Sequence, residues 1–417
     1  MASPAGSANA GLRVSPSTIV PTQTVGSMAG ARARIESIDL VRGIAMVIMA
    51  LDHSHDFFGS LTSRPMDLAT TTPALFFTRW ITHICAPVFF LLTGTSAYLT
   101  LRRMTKPALS HYLVTRGLWL IVLELTVLRF ALQFNVDYHV TILTVLWALG
   151  WAMIVLAGLV WLPIWAVAVF GVVLIAGHNA LDNFGGGMSG STSAIWTILH
   201  VPGTVLSTGN TLVHVSYVLI PWVGVSAMGY VLGAAYQIDP ARRRRLLLSL
   251  GLALVAGFIV LRWINAYGDP APWSPQKTPL FTLLSFIDTV KYPPSLLFLM
   301  MTLGPALLLL RAFDGGVPPL LRPVHVIGRV PLFFFVLHFY LIHLLAVLAC
   351  WLRYGTVTNM WRSPDLAHFP FSAPPRWDFG LAVVYLVWIT VVVALYPLCR
   401  WYAGLRRRHS WWWLSYL

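Results

Sequence analysis

Charge is scarce in this sequence: Asp, Glu, Lys and Arg make up 10% of its 417 residues. A soluble domain carries about 25%, so a water-solvated globule is excluded. Residues 138–181 contain none of the four. Acidic residues are the rarer kind, 14 against 28 basic ones. Cysteine is nearly absent, and Cys85, Cys350 and Cys399 all fall in hydrophobic segments. That excludes a disulfide framework and a CxxC metal site. No basic stretch followed by an apolar one precedes residue 38, so no cleavable signal peptide is expected.

What the sequence has is hydrophobic length. Apolar residues make up 57% of it and its mean hydropathy is +0.74. The expected fold is all-α, a polytopic integral membrane protein of about ten transmembrane helices. The segments run roughly over 38–58, 79–101, 113–132, 139–159, 162–178, 212–236, 246–265, 293–311, 330–352 and 379–400. Trp161-Leu162-Pro163 breaks the long uncharged stretch, because proline suits the first turn of a new helix. Residues 1–34, rich in Ala, Ser, Gly, Pro and Thr, read as a disordered tail. Residues 35–404 form the transmembrane domain, and 405–417 a basic, Trp-rich tail anchored at the interface.

Lys and Arg counts give an orientation. With the N-terminus inside, the inner set is Arg13, Arg32, Arg34, Arg42, Arg102, Arg103, Lys106, Arg116, Arg242 to Arg245, Arg311, Arg322, Arg329, Arg400 and Arg406 to Arg408. That is 19 of the 28, which leaves 9 outside. The bias puts both termini in the cytoplasm and assigns the net charge of +14 to lipid-facing loops rather than to nucleic acid. The longer loops, 179–211, 266–292 and 353–378, then lie outside, where they can line or cover a pocket.

The stretch Ser37–Leu101 concentrates the chemistry. Asp39 and Arg42 stand at one end of its first helix, and Asp52, His53, His55 and Asp56 at the other. Each such charge in a membrane needs a partner, a wet cavity or a role. At 100° per residue Asp52, His55 and Asp56 share a face, with His53 about a quarter-turn away. The bland reading is a solvated helix cap. The functional one uses a neutral histidine as general base, oriented by an aspartate. His83, whose carbonyl Pro87 leaves unbonded, lies within plausible reach. His and Asp can ligate metal, but no ligand-spacing motif accompanies them, so no metal is expected.

Arg42 and Asp39 can simply pair; alternatively Arg42, joined by Arg329, offers bidentate donors to a phosphate at the inner face. Lys291 stands at the outer face, where it can reach the cavity. His338 lies deeper in its segment than His343, and five residues separate them, so they do not face one site. Glu124, mid-segment, reads as structural. Gly229 and Gly233 read as a packing contact.

SIDLVRGIAMVIMALDH, THICAPVFFLLTGTSAYL, KYPPSLLFLMMTLGPALLLL and GRVPLFFFVLHFYLIH, in that order, resemble the bacterial relatives of the heparan-α-glucosaminide N-acetyltransferase catalytic domain. The resemblance spans about 35 to 352, and its specific parts are Asp39–Arg42–Gly43 and Gly328-Arg329. It implies an acyl group, acetyl or another, taken from cytoplasmic acyl-CoA and passed to an amine or hydroxyl of a sugar or glycan on the outer side of a bacterial inner membrane. Arg42 and Arg329 would then hold the donor, and Asp56, Lys291 and His338 the acceptor. In the mammalian enzyme an Asn near the outer end of the first helix and a histidine in the next outer loop form the catalytic pair. Here Asp52 fills the Asn position and 59–78 contains no histidine, so His53, His55 or His83 has to serve. The alternative is a proton-coupled transporter or lipid flippase using the outer His/Asp cluster as a relay. A third reading is a pH sensor.

Overall fold

The computed structural model describes residues 35–59, 64–184, 190–409, 411 and 414. The expected disordered tail over 1–34 lies outside the described residues, as does most of the chain after Arg408. The protein is overwhelmingly helical. Helix α1 (Glu36–Phe58) is followed by α2 (Pro73–Leu101), which tightens to a 3-10 turn over Ile81–Ile84. Next come α3 (Lys106–Leu123), α4 (Val145–Leu159), α5 (Ile164–Gly177) and α6 (Gly190–Leu199). Then follow α7 (Leu219–Gly233), α8 (Pro240–Ile264), α9 (Pro279–Ile287) and α10 (Leu296–Ala312). The last are α11 (Arg322–Gly328), α12 (Pro331–Tyr354) and α13 (Gly380–Arg408). The last helix thus runs four residues past the expected boundary at 404.

Among the described residues, 6 helices are long and apolar enough to cross a membrane, with two shorter apolar ones at Val145–Leu159 and Leu296–Ala312. Two expected spans are corrected. The segments 139–159 and 212–236 open not as helix but as strands, β1 (Val140–Leu143) and β3 (Leu212–Val215). VTIL and LVHV are rich in β-branched residues, which fit a pleated sheet better than a helix. They pair in parallel, Val140 opposite Leu212, while β2 (Gly203–Ser207) pairs antiparallel with β3. The Glu124 carboxylate, in a π-helical turn following α3, sets where α4 begins. It accepts from the Thr144 amide (2.8 Å), the Thr144 hydroxyl (2.5 Å) and the Leu146 amide (3.0 Å). It thereby satisfies donors that every helix N-terminus leaves open. This is the structural role expected of it.

Within lipid, apolar side chains gain little by leaving one apolar medium for another, so helices associate through close backbone approach and polar contacts. The α2–α7 pair does this at Gly94 and Gly229, where an added Cβ would meet Ser226 O at 1.9 Å and Leu91 O at 2.0 Å. Thr95 Oγ1 donates across the same contact to Gly229 O at 3.0 Å. At the Asp39 end of α1, Gly43 and Gly328 bring α1 against α11 as tightly: a Cβ on Gly328 would lie 1.8 Å from Asp39 O. Helix α1 is central, packed by α2, α10, α11, α12 and α13, with Leu40, Ala50 and Ser54 fully buried. Loops close over its Phe58 end. Trp377 Nε1 donates to Phe57 O (2.9 Å), and the Phe379 amide to Phe58 O (3.2 Å). Asn135 Nδ2 joins two of these loops through Trp361 O (2.8 Å).

Candidate active site

The Asp52 end of α1 opens into a cavity of about 390 Å³, within the usual range for small-molecule sites. Asp52, His53, His55 and Asp56 all line it, because the cavity sits at the helix end rather than along one face. Arg79, Thr82 and Cys85 enter from α2; Tyr217, Lys291 and Tyr292 come from loops, and Phe335 and Phe339 from α12.

Asp52 is 8% exposed and surrounded by donors. Arg79 donates to its Oδ1, Thr82 Oγ1 donates to the same oxygen at 2.9 Å, and Lys291 Nζ lies 3.9 Å from Oδ2. Arg79 also lies 3.7 Å from Asp56, whose other oxygen meets His53 Nδ1 at 3.1 Å. Two carboxylates thus face one arginine and one lysine. A buried charge cluster persists only when its members are matched in this way. The His53–Asp56 pair is three residues apart on α1, so it is His53, set aside by the simple facing argument, that gains the orienting carboxylate. With Nδ1–H donated to Asp56, its Nε2 is left as the basic nitrogen.

Two expected members stand behind the wall rather than on it. His83 is 3% exposed and packs on Phe298 with ring centroids 5.3 Å apart. The 3-10 turn at Ile81–Ile84 turns Thr82 and Cys85 inward instead. His338 lies behind His53, centroids 5.3 Å apart, its Nδ1 bonded to the Phe334 carbonyl (3.3 Å) and to that of Phe335. As the five-residue spacing required, His343 faces elsewhere. It stacks on Phe134 and bonds Ala131 O (3.0 Å) and Met360 O (3.2 Å).

Lys291 owes its position to the segment that carries it. Arg262, 1% exposed, donates to the carbonyls of Phe286 (2.9 Å), Ala271 (2.8 Å), Ser285 (3.0 Å) and Asp288 (2.5 Å). Asp269 accepts from the Val290 amide (2.9 Å) and Ser295 Oγ (2.6 Å). Asp288 does not line the cavity; burial pushes its carboxyl up to about 6. Burial likewise raises the Tyr217 phenol, which keeps it a neutral donor on the wall.

About 15 Å along α1 from Asp52, at 1.5 Å per residue, Arg42 pairs with Asp39 (2.9 Å), donates to Ser96 Oγ (3.1 Å) and reaches Gly328 O (3.4 Å). Arg329 follows directly in the chain, and its carbonyl accepts from Arg406 (3.4 Å). The backbone of Gly328 and Arg329 thus meets both Arg42 and Arg406.

The sequence reading did not select Arg79, Thr82, Tyr217 or Tyr292. Arg79 carried a usable signal, since a cation beside an apolar run requires explanation as much as an aspartate does. The tyrosines carried none.

A family model described as heparan-alpha-glucosaminide N-acetyltransferase, catalytic, matches residues 34–261. The match takes in α1, α2 and the His53–Asp56 pair and ends before Lys291. Among curated proteins, none matches the chain.

Proposed function

Since the chain belongs to the heparan-alpha-glucosaminide N-acetyltransferase catalytic family, a family of membrane acetyltransferase type, we propose that it passes an acyl group, acetyl first among candidates, from cytoplasmic acyl-CoA to a sugar or glycan in the Asp52–Asp56 cavity. The bacterial inner membrane, with both termini inside, is the setting that the Lys/Arg bias supports. The observation that carries the reading is the His53–Asp56 pair at 3.1 Å inside the cavity.

His53 Nε2 takes the proton of the acceptor amine or hydroxyl as it attacks the thioester carbonyl. The carbonyl becomes an oxyanion, for which Lys291 and the Tyr217 hydroxyl are the donors on the wall. As the C–S bond breaks, His53 returns its proton to the departing coenzyme A thiolate. Asp56 keeps the ring in the required tautomer. Asp52, tied to Arg79 and Thr82, acts as the scaffold that fixes Lys291. A cavity of about 390 Å³ has room for a sugar unit and an acetyl group. The phosphates then belong at Arg42 and Arg329, with the pantetheine arm along α1. His55 lines the same cavity and is the rival base.

The test is incubation of detergent-purified protein with radiolabelled acetyl-CoA and glucosamine-type acceptors. The expected result is label on the acceptor and release of coenzyme A, with His53→Ala lowering kcat by about 10²–10⁴ while acetyl-CoA binding persists. Full turnover in His53→Ala with loss in His55→Ala moves the role to His55. No transfer by the wild type, together with acceptor-dependent proton flux in vesicles, refutes the acyltransferase reading.

A further inference from the structure

Away from the cavity, α5 ends in a 3-10 turn, His178–Leu181, that folds Asp182 back toward His178. Helix α6 delivers His200 to the same place. The ligand atoms of the three residues lie within 4.8 Å of one another. His178 is 1% exposed and His200 fully buried. His200 Nε2 lies 3.1 Å from Asp182 Oδ1, but His200 Nδ1 has no hydrogen-bond partner among the described residues, and beside His178 stands only the Pro294 carbonyl, which can serve one of its two nitrogens. Burying an imidazole nitrogen without a partner is costly, and such groups call for one.

We propose that His178, Asp182 and His200 form a zinc-class divalent metal site. Two imidazole nitrogens and one carboxylate oxygen suit zinc and its transition-metal neighbours, whereas calcium and magnesium favour oxygen alone. Three protein ligands leave a fourth tetrahedral position for water. Bonds of about 2.1 Å place tetrahedral ligand atoms about 3.4 Å apart, so the observed spacing needs only small side-chain rotations.

The surroundings fit a ligand set. Asn179 Nδ2 donates to Asp182 Oδ2 at 2.9 Å, which leaves Oδ1 toward the histidines. The Pro294 carbonyl stands beside His178, where it can take the N–H of the nitrogen that does not bind metal. Outer partners of this kind commonly orient metal ligands. Trp196, with its ring 4.9 Å from His200, walls one side. No metal was expected from the sequence, where the Asp52–Asp56 cluster shows no ligand-spacing motif; His178, Asp182 and His200 were not among the residues considered.

The role is structural. Asn179 Oδ1 accepts from the Leu296 amide at 2.8 Å, and Pro294 belongs to the same segment. A metal on His178, Asp182 and His200 therefore braces residues 291–296, which hold Lys291 against Asp52. The inference does not depend on acyl transfer.

The test uses the full chain in detergent, stripped of metal and titrated with Zn²⁺ against a chromophoric chelator. One equivalent per chain and a higher melting temperature are expected for the wild type and for His368→Gln, a control at an exposed His/Asp pair. His178→Gln and His200→Gln should lose both. X-ray absorption of zinc-loaded wild type, which needs no variant to fold, should give a nitrogen/oxygen shell at about 2.0–2.1 Å with imidazole scattering. No stoichiometric binding, a sulfur shell, or undiminished binding in His178→Gln overturns the site.

Discussion

Arg79→Met is the most informative perturbation of the cavity. Arg79 reaches both carboxylates, bonded to Asp52 and 3.7 Å from Asp56. Two unit charges about 4 Å apart attract by about 4 kcal/mol at an effective dielectric near 20. Removing one member of a buried pair generally costs about 3–5 kcal/mol, because the other charge is stranded. Here Lys291, 3.9 Å from Asp52, still offsets part of the stranded charge, so the lower end, about 3 kcal/mol, is expected. Asp52→Asn should cost less, about 1–2 kcal/mol: Arg79 keeps Asp56, and the amide still accepts from Thr82. The double variant should be less damaged than the sum, with a coupling of about 2 kcal/mol. Equilibrium unfolding in mixed micelles, followed by tryptophan fluorescence, measures all four corners of the cycle. Additivity within about 0.5 kcal/mol would refute the claim that Arg79 and Asp52 are one buried electrostatic unit.

Two more predictions concern opposite ends of the protein. Arg42→Lys keeps the charge but loses the planar fork; it should raise KM for acetyl-CoA about tenfold, leave the acceptor KM unchanged, and an unchanged donor KM would remove Arg42 from the donor site. Asp288 has a folded pKa raised to about 6 from its ordinary 3.8, so the folded state holds its proton more tightly and stability falls as pH rises between about 4 and 6. Asp288→Asn should therefore stabilise the protein by about 1 kcal/mol at pH 7–8, after discounting for partial exposure, and by nearly nothing at pH 4; melting curves at both pH values decide it, and an equal gain at both would sink the assignment.

Much of the site was legible because carboxylates and histidines beside an apolar run stand out against a membrane background. Asp52, His53, His55 and Asp56 all reach the cavity for that reason. Which histidine gains a carboxylate was not legible: the facing argument joined His55 to Asp56, yet the i, i+3 pair His53–Asp56 is the one that closes. His83 stands near the cluster but not on the cavity wall, where the 3-10 turn at Ile81–Ile84 brings Thr82 and Cys85 instead. The strands were hidden because VTIL and LVHV are as apolar as the helices they precede, and their pairing partners lie far apart in the chain. Lys291 could be assigned to the outer face, but its contact with Asp52 depends on Arg262 and Asp269 folding the intervening loop.

The Gly43–Gly328 contact bears on how the protein is made. It joins the first helix to one 285 residues later. At roughly 5–20 residues per second of synthesis, α1 waits about 15–60 s for the surface that will cover its Asp39 end. During that interval it carries Asp39, Arg42, Asp52 and Asp56 through a membrane that disfavours charge. Arg42 can meet Asp39 within a single turn, and Arg79 arrives 27 residues after Asp52. The partners of the first helix are thus ordered in time: Arg42 and Arg79 come early, Lys291 and the glycine seam much later, and α12 and α13 after them. Nascent chains truncated between Arg79 and Gly328 should insert and hold their orientation, yet remain open to proteases along the Asp39 end of α1.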